Sequence, residues 1–484
     1  MLKPTRRQFL EEAMIAAGLA AMSPLTAMSQ QNEPATTGGE RSANDQIQHA
    51  VIGCRTRGKV HAREFARQAG VVVAYVCDPD VALAETLAGD LEASSGVRPK
   101  VVTDLRRIFD DDVVNTVSIA APNHWHALAA IWAMQSGKHV YVEKPVSHTV
   151  EEGRRIIQVA ERTRRLCQTG TQRRSLGALR AAAEYIAAGK LGDVHLARSI
   201  IYQRRNSIGP KGRYPLPENV DYNLWAGPAP LDPLTRPNLH YDWHWMWATG
   251  NGEIGNNNIH YTDVCRWLMG VSGLGDSVFS IGGRLGYDDA GETPNTQLVL
   301  HRFGHQHMIQ EVRGLPSERF SPFMNDGWIV HGSDGYVAMT TRFDLEGNPV
   351  QTFTGDDENH FANFTQAVRA HDRARLNADI TQGHDSSSLC HLANISHRLG
   401  TQVTAAECEA RFDAMELPDS FRQSFDRLRN HFKENAIDDD VKVSFGEPLV
   451  VDPEREQLLN SPQANELLRR SYRPPFVLPT EREI

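Results

Sequence analysis

The sequence predicts an α/β protein with two successive domains, on the strength of three observations. Short apolar strands alternate with helical segments between residues 49 and 142, which is the pattern of a parallel sheet with crossover helices. A glycine-containing turn joins the first of these strands to the first helix. From residue 277 the chain runs through successive strand patterns instead, which indicates a second sheet.

Composition is that of an ordinary globular protein with room for two hydrophobic cores. The chain has 484 residues, of which 40% are hydrophobic and 23% are charged. A net charge of -9 and a pI near 6.1 argue against nucleic acid as the main partner. The six cysteines include no CxxC pair, so we expect buried free thiols and no zinc site; they are Cys54, Cys77, Cys167, Cys265, Cys390 and Cys408.

The first 30 residues are typical of a twin-arginine export signal. Arg6-Arg7 precedes a mostly apolar run at residues 13–22 and a small-residue site near Leu25-Thr26-Ala27. The apolar run is too short for an ordinary membrane span, so no integral span is expected. A basic amphipathic helix without a targeting role is the alternative. We therefore predict a signal at 1–30, a polar linker at 31–46 and a periplasmic mature protein.

Residues 47–165 are predicted to form a dinucleotide-binding domain. A strand at residues 49–53 leads into a turn in which Gly53 and Gly58 occupy the first and third glycine positions of GxGxxG, while Arg55 occupies the second. A helix N-terminus at such a turn receives a pyrophosphate. Gly53, Arg55, Thr56, Arg57 and Gly58 are therefore candidate cofactor residues. The alternative is a plain strand-to-helix turn.

The second strand, at residues 71–77, ends at Asp78. A carboxylate about 20 to 25 residues after the glycine turn can accept the adenosine ribose hydroxyls, which favours NAD over NADP. Arg55 and Arg57 favour the opposite choice, because a guanidinium can bind a 2'-phosphate. The prediction is NAD, with NADP as the alternative.

Two further strand ends carry polar residues. One strand ends before Ala121-Pro122-Asn123-His124-Trp125-His126, and the next, at residues 139–142, runs into Glu143-Lys144-Pro145. Ligands of parallel sheets lie beyond the carboxyl ends of the strands, so Pro122, Asn123, His126, Glu143 and Lys144 are candidate cofactor contacts. His124 and His126 are more typical of a helix cap or a pocket wall than of a metal site, and no metal is expected.

The modified glycine turn, the loop at residues 121–126 and Glu143-Lys144-Pro145 together resemble the Gfo/Idh/MocA family of oxidoreductases. The resemblance implies a Rossmann domain followed by an α/β domain with a large open, mostly antiparallel sheet. It also implies NAD(P) as cofactor, a sugar, cyclitol or related molecule as substrate, and a role for Lys144 in binding and polarising the reacting oxygen. We further expect a homo-oligomer.

Residues 166–402 are predicted to form the substrate-binding domain. Gln172 and Arg173 lie at a polar strand end, and a long proline-rich loop follows at residues 203–239. Trp225 and Trp243 are candidate platforms for a sugar ring; packing of the loop against the sheet is the alternative. Four strands are predicted at 297–303, 307–313, 328–333 and 336–341, and residues 403–484 form a C-terminal extension.

The second catalytic candidate is His260, in the segment at residues 252–268. Helical spacing predicts Asn256, His260, Asp263 and Trp267 on one face, with Asn256 able to cap the helix. The resemblance implies that His260 is the acid/base partner of Lys144, and that an aspartate usually lies four residues before it. Asn256 stands there and cannot accept a proton. A hydrogen-bonded core histidine is the alternative for His260.

These residues predict an exported oxidoreductase that transfers a hydride between a carbohydrate or polyol CH–OH group and a tightly bound NAD(P). Two alternatives remain. One is a glycoside hydrolase of the same fold that uses NAD for a transient oxidation followed by elimination. The other is a sugar-binding module that has lost its chemistry, for which Arg55 and Asn256 are the supporting departures.

Overall fold

The computed structural model of the protein describes residues 46–321 and 324–484. The predicted signal and the predicted linker up to residue 45 lie outside these described residues. In the part of the chain that the structure describes, no helix has the length and apolar character needed to cross a membrane.

The first sheet has six parallel strands in the order β3-β2-β1-β4-β5-β6. These are β1 (Ile47–Ile52), β2 (Val71–Cys77), β3 (Lys100–Val102), β4 (Thr116–Ile119), β5 (His139–Val142) and β6 (Cys167–Thr169). The crossover helices are α1 (Thr56–Ala66), α2 (Val81–Ser95), α3 (Arg106–Phe109), α4 (Asn123–Gln135) and α5 (Val150–Thr163). This strand order confirms the predicted Rossmann domain.

The topology of this sheet locates a ligand site. Strand order reverses between β1 and β4, and ligands of such sheets bind beyond the carboxyl ends of the strands at that point. Gly53 follows β1, and Lys144 follows β5 after one intervening residue. The first domain extends beyond the predicted boundary at residue 165, because the chain that leaves α5 forms β6, which pairs in parallel with β5.

The second sheet is large and mixed, with 12 strands. Its main path runs β14-β13-β12-β11-β7-β10-β9-β8-β16-β15, and all of its pairs are antiparallel except β7 with β10. The strands are β7 (Leu196–Ile201), β8 (Ser277–Gly283), β9 (Thr296–Phe303), β10 (Gln306–Arg313), β11 (Asp326–Gly332), β12 (Gly335–Ala338), β13 (Thr341–Phe343), β14 (Pro349–Thr352), β15 (Thr401–Val403), β16 (Val443–Phe445), β17 (Leu449–Asp452) and β18 (Gln457–Leu458). The expected large, mostly antiparallel sheet is confirmed.

The helices of the second domain do not all pack on this sheet, since Phe361 and Phe364 of the helix at His360–Ala370 belong to an apolar core of the first domain. These helices are α6 (Gly177–Ala187), α7 (Tyr222–Ala226), α8 (Leu239–Asp242), α9 (Ile259–Met269), α10 (His360–Ala370), α11 (Ile380–Arg398), α12 (Ala405–Phe412), α13 (Asp419–Glu434) and α14 (Pro462–Leu467). A turn of π-helix, Ile254–Asn258, leads directly into α9.

The predicted C-terminal extension is part of the second domain's architecture. Strand β16 pairs with β8, and Phe421 and Phe425 of α13 belong to the same apolar cluster as Phe279 of β8. Burying such aromatic rings contributes on the order of 2 kcal/mol each. The six cysteines are all buried and unpaired, as predicted.

Candidate active site

The glycine turn after β1 packs against the backbone. Gly53 has φ +88°, and a Cβ there would lie 2.6 Å from the carbonyl of Ala120. A Cβ at Gly58 would lie 1.7 Å from the carbonyl oxygen of Gly53. The N-terminus of α1, where Arg55 and Thr56 lie, has neither a side-chain cap nor an acid in its first turn. These features fit the diphosphate of a dinucleotide, because the first helical N–H groups lack an internal partner.

Asp78 is placed where β2 ends and is buried. One carboxylate oxygen accepts the N–H of Cys54 at 2.8 Å, and the other accepts the N–H of Asp80 at 2.9 Å. Burial raises the pKa of Asp78, and these two backbone donors oppose that effect. The carboxylate is thereby fixed beside the glycine turn, the position from which a ribose hydroxyl can be recognised.

Glu143 is the centre of a buried hydrogen-bond network that the sequence did not reveal in full. Its Oε1 accepts from Arg57 Nε at 2.6 Å, from His61 Nε2 at 3.0 Å and from Gln172 Nε2 at 3.2 Å. Burial by itself would raise the pKa of Glu143, but Arg57 and His61 hold it well below its ordinary value. Because Arg57 is engaged by this carboxylate, it is a less suitable ligand for the 2'-phosphate of NADP.

His61 and Tyr141 are two members of this network that the sequence prediction missed, although the spacing of each one could have indicated it. His61 lies four residues after Arg57 on α1, which places both on one helix face. Tyr141 of β5 lies two residues before Glu143 and so on the same side of the extended chain, and its hydroxyl accepts a hydrogen bond from Gln172 Nε2 at 2.9 Å. Gln172 therefore supports Glu143 and Tyr141 at the base of the site.

Lys144 projects from the carboxyl end of β5 towards the second domain. Its peptide bond to Pro145 is cis, and its Nζ donates a hydrogen bond to the backbone carbonyl of Asn256. Burial lowers the pKa of Lys144 to about 8, although the neighbouring Glu143 carboxylate acts in the opposite direction. The lysine thus has a proton that it can hold or release near neutral pH.

The histidines of the predicted loop are structural. His126 contacts the carbonyls of Pro145 at 2.6 Å and Ala121 at 2.7 Å, linking α4 to the segment after Lys144. His124 contacts the carbonyl of Trp225 at 3.0 Å. Pro122 precedes the first residue of α4, and Asn123 donates to Asn251 Oδ1 at 3.0 Å. Within the described ranges no group of three or more His, Cys, Asp or Glu side chains could hold a metal ion.

The prediction that Asn256 caps the helix is wrong. Asn256 lies inside the π-helical turn, and neither that turn nor α9 has a side-chain cap. The chain is already helical before it reaches this residue, so there is no free helix end for it to cap. Its side-chain amide instead donates to Glu253 Oε2 at 3.4 Å, and its backbone carbonyl accepts from Lys144.

His260 follows on the first turn of α9 and is half-buried. Burial, then the charges of Lys144 and Arg173, hold the pKa of His260 well below 6.5. The imidazole is therefore neutral at neutral pH and able to accept a proton. Asp263, expected on the same face, is fully buried and pairs with Arg174 at 2.9 Å.

Arg173 lies close enough to His260 for its charge to lower the pKa of that imidazole. Its guanidinium is 4.9 Å from the ring centroid of Tyr261 and 5.4 Å from that of Trp328, distances typical of cation–π contacts. Lys144 also lowers the pKa of His260 by its charge, so the lysine and Arg173 both lie within electrostatic range of this histidine.

The tryptophans are packed differently from a sugar platform. Trp225 is only 4% exposed and stacks on Tyr222, with ring centroids 5.7 Å apart. Trp243 is half-buried and stacks on His244 at 3.6 Å. Both arrangements agree with the alternative of loop packing.

Residues 203–250, here called the strap, cross from the second domain onto the carboxyl edge of the first sheet. On one side, Asp80 receives His240 Nε2 at 2.8 Å, and the backbone N–H of Val81 donates to the carbonyl of Asn219 at 3.2 Å. On the other side, Trp125 Nε1 donates to the carbonyl of Trp225 at 3.0 Å. The strap therefore contacts both flanks of the predicted cofactor position.

Comparison with known protein families agrees with this geometry. Residues 47–171 match the model of the oxidoreductase family with an NAD-binding Rossmann fold, and residues 210–432 match the C-terminal alpha/beta domain of the same family. Together the two matches cover most of the chain.

Curated relatives carry glycosidase names. A glycosyl hydrolase family 109 protein of Shewanella sp. (strain W3-18-1) is 35% identical over 127 residues, which are 25% of this chain and 28% of that protein. An alpha-N-acetylgalactosaminidase of Shewanella oneidensis is 33% identical over 174 residues, 34% of this chain and 38% of that protein. The chain thus spans less than two fifths of the length of either relative.

Solved structures show the fold. The WlbA dehydrogenase from Bordetella pertussis, in complex with NADH and UDP-GlcNAcA, has a TM-score of 0.52 at 19% identity and covers 72% of this chain and 94% of its own. Levoglucosan dehydrogenase, in complex with NADH and levoglucosan, has a TM-score of 0.54 at 18% identity and covers 72% and 96%. By its two domains and their family matches, the chain belongs to the Gfo/Idh/MocA family of NAD-binding oxidoreductases.

Proposed function

We propose that the protein is an exported oxidoreductase that uses a retained NAD to oxidise or reduce a CH–OH group of a carbohydrate or polyol. The observation that supports this most directly is the position of Lys144. It lies at the carboxyl edge of the cofactor domain and donates to Asn256 of the second domain, with a neutral His260 nearby.

Each residue has a distinct part in the proposed reaction. The Lys144 ammonium donates a hydrogen bond to the reacting oxygen, which stabilises negative charge as it develops there. His260 accepts the hydroxyl proton in the oxidative direction and returns it in the reductive one. NAD, when bound, supplies the nicotinamide that takes up or gives the hydride. The alcohol carbon loses its hydride and becomes a carbonyl, so the electrons balance.

Retention of the cofactor is supported by the strap. Since it contacts the first domain both at Asp80 and at Trp125, the segment would cross a dinucleotide bound at the glycine turn. The export signal predicted at Arg6-Arg7 would give a reason for retention, because a compartment outside the cytoplasm has no general pool of free NAD. The cofactor would then be restored within each cycle, by a second substrate or by the first.

A redox-neutral glycosidase is the second candidate, and the names of the curated relatives favour it. Oxidation of a sugar hydroxyl to a ketone acidifies the neighbouring C–H bond. Loss of that proton expels the glycosidic leaving group; water then adds, and the hydride returns to the ketone. The reaction needs the same oxygen-binding lysine and a proton acceptor such as His260.

Incubating the purified protein with sugars and aryl glycosides, without added cofactor, distinguishes these activities. Formation of one oxidised sugar and one reduced sugar in equal amounts would support an oxidoreductase whose bound cofactor is restored by a second substrate. Glycosidic cleavage with deuterium uptake from solvent next to the oxidised carbon would support the glycosidase. Activity that requires many equivalents of free NAD would contradict cofactor retention, and no reaction with any sugar would contradict the proposal.

A further inference from the structure

Glu253 is a buried carboxylate beside the proposed active site that has no part in the reaction described so far. It is 1% exposed, and Arg205 binds both of its oxygens, with Nη2 at 2.7 Å and Nε at 3.0 Å. Separating a buried bidentate pair would leave an uncompensated charge, which is energetically costly. The pair therefore holds the two backbone segments that carry Arg205 and Glu253 together.

The pair joins the start of the strap to the turn before α9. A second contact runs in parallel, since Gln203 Oε1 accepts from Asn257 Nδ2 at 2.9 Å and from Arg205 Nη2 at 3.0 Å. Glu253 also accepts the side-chain amide of Asn256 at 3.4 Å. Three side-chain contacts therefore hold the π-helical turn Ile254–Asn258, a type of turn that is frequent at functional sites.

This arrangement determines which group Lys144 meets. The amide of Asn256 is directed to Glu253, and its backbone carbonyl receives the lysine. Asn256 thus contacts the lysine through its neutral backbone carbonyl. The nearest acid of this segment, Glu253, lies one turn earlier and is already paired with Arg205. A carbonyl constrains the ammonium without neutralising its charge.

We propose that Glu253, clamped by Arg205, is a positioning residue that presents the Asn256 carbonyl to Lys144 and, together with Arg205, sets the charge balance around that lysine. The inference rests on the proposed function in taking Lys144 as the group that binds the reacting oxygen. Glu253 acts through the turn and through its charge, without contacting the substrate.

Several charged and titratable groups surround Lys144 from elements of both domains. Burial lowers the pKa of the lysine, Glu143 and Glu253 raise it, and Arg57 and Arg205 lower it. The remaining titratable neighbours are His126, His244, His260 and Cys390. Glu253 and Arg205 therefore shift the pKa of Lys144 in opposite directions.

The test is the titration of Lys144 itself in the purified holoprotein. Trace acetylation with acetic anhydride across a pH series, followed by mass spectrometry, reports the protonation of one lysine without requiring turnover. Glu253→Gln should lower the apparent pKa of Lys144 by about 0.5 or more, and Arg205→Gln should raise it by a similar amount. The double variant should return close to the wild-type value.

Glu311→Gln is the matched control, because Glu311, on β10, is also buried and also pairs with arginines, namely Arg198 and Arg427. It should leave the Lys144 titration unchanged. Unchanged titration in both single variants, or shifts of the same sign, would overturn the proposal. If Glu253→Gln does not fold, the upward shift of the Lys144 pKa expected in Arg205→Gln tests the proposal by itself.

Glu253→Asp separates position from charge. It retains the carboxylate but is one methylene shorter, so it should lower turnover about tenfold or more while the pKa of Lys144 moves little. Wild-type turnover in Glu253→Asp would remove the positioning role. If no sugar reacts with the wild type, the proposed function fails, while the labelling experiment still decides the proposal for Glu253.

Discussion

His240 Nε2 lies 2.8 Å from Asp80 Oδ2, across 160 residues of sequence, and this contact joins the strap to the cofactor domain. Asp80 is 4% exposed and also receives the Asn219 side chain. The antiparallel bridge between Asp80 and Val220 adds backbone contacts at the same point. The strap therefore has one attachment just beyond Asp78, where the adenosine ribose is expected.

Weakening this attachment should accelerate cofactor exchange. His240→Gln removes the imidazole that contacts Asp80, and a hydrogen bond to a charged group typically contributes about 1.5 to 3 kcal/mol. We expect the dissociation of labelled NAD to be about tenfold faster or more, with little change in thermal stability. Rapid filtration of the holoprotein after isotope labelling measures this rate.

The matched control is His305→Gln, because His305 contacts Asp193 at 3.3 Å on an exposed surface. Its exchange rate should equal that of the wild type. An unchanged rate in His240→Gln would show that the strap does not retain the cofactor.

Replacing Lys144 should abolish most turnover while sparing cofactor content. Lys144→Met keeps the length of the side chain but removes the ammonium, and electrostatic and acid/base contributions are each worth about 100-fold or more. Lys138→Met is the control, since Lys138 is buried but lies just before β5, at the opposite end of that strand, where it donates to the carbonyl of Asp111. Wild-type turnover in Lys144→Met would exclude this lysine from the mechanism.

The rate of the oxidative step should depend on pH in two ways. Lys144 is protonated below about pH 8 and loses its proton as pH rises through that value, so the rate should fall on the alkaline side. His260 must be neutral to accept a proton, and its pKa lies well below 6.5, so the rate should fall only in distinctly acidic solution.

Single-turnover reduction of bound NAD, followed by absorbance, measures this profile. Residual activity of Lys144→Met should lack the alkaline decline. A rate that rises through pH 8 would contradict the hydrogen-bonding role of the ammonium, because it would require the lysine to act as a neutral base.

NAD should bind to the cofactor-free protein more tightly than NADP. Asp78 carries a carboxylate at the end of β2, the position from which an adenosine ribose is recognised and a 2'-phosphate would be repelled, and Arg57 is engaged by Glu143 at 2.6 Å. Asp78→Ala should reduce the ratio of the NADP and NAD dissociation constants about tenfold, whereas Asp90→Ala, at an exposed position of α2, should not alter this ratio. Calorimetric titration that shows NADP to be the tighter ligand of the wild type would reverse this prediction.

Much of the architecture can be read from local patterns. The alternation of apolar strands and helices before residue 142, and the glycines at 53 and 58, predict the parallel sheet and its turn because strand burial and backbone clearance depend on residues close in sequence. The predicted strands at residues 297–303 and 307–313 agree with β9 and β10 to within one residue. The same patterns identified Lys144 as a residue at a ligand-binding edge.

Local sequence patterns could not predict which side chains pair with one another. The sequence predicts helical spacing through residues 256–267, but a π-helical turn occupies the start of that segment, held by Arg205 on Glu253 from 48 residues away. The sequence also predicts Arg57 as a phosphate ligand, whereas the fold brings Glu143 to it from just after β5, 86 residues further along the chain. Pairing over such separations depends on where two elements dock.

The sequence by itself therefore determined the two-domain α/β class, the glycine turn and the lysine after β5, since each depends on periodicity, backbone clearance or strand order. Only the tertiary structure decided that Asn256 meets Lys144 through its backbone carbonyl and that the strap attaches at Asp80. These contacts join elements far apart in sequence. Their geometry arises from the packing of the second domain against the first, which no local pattern encodes.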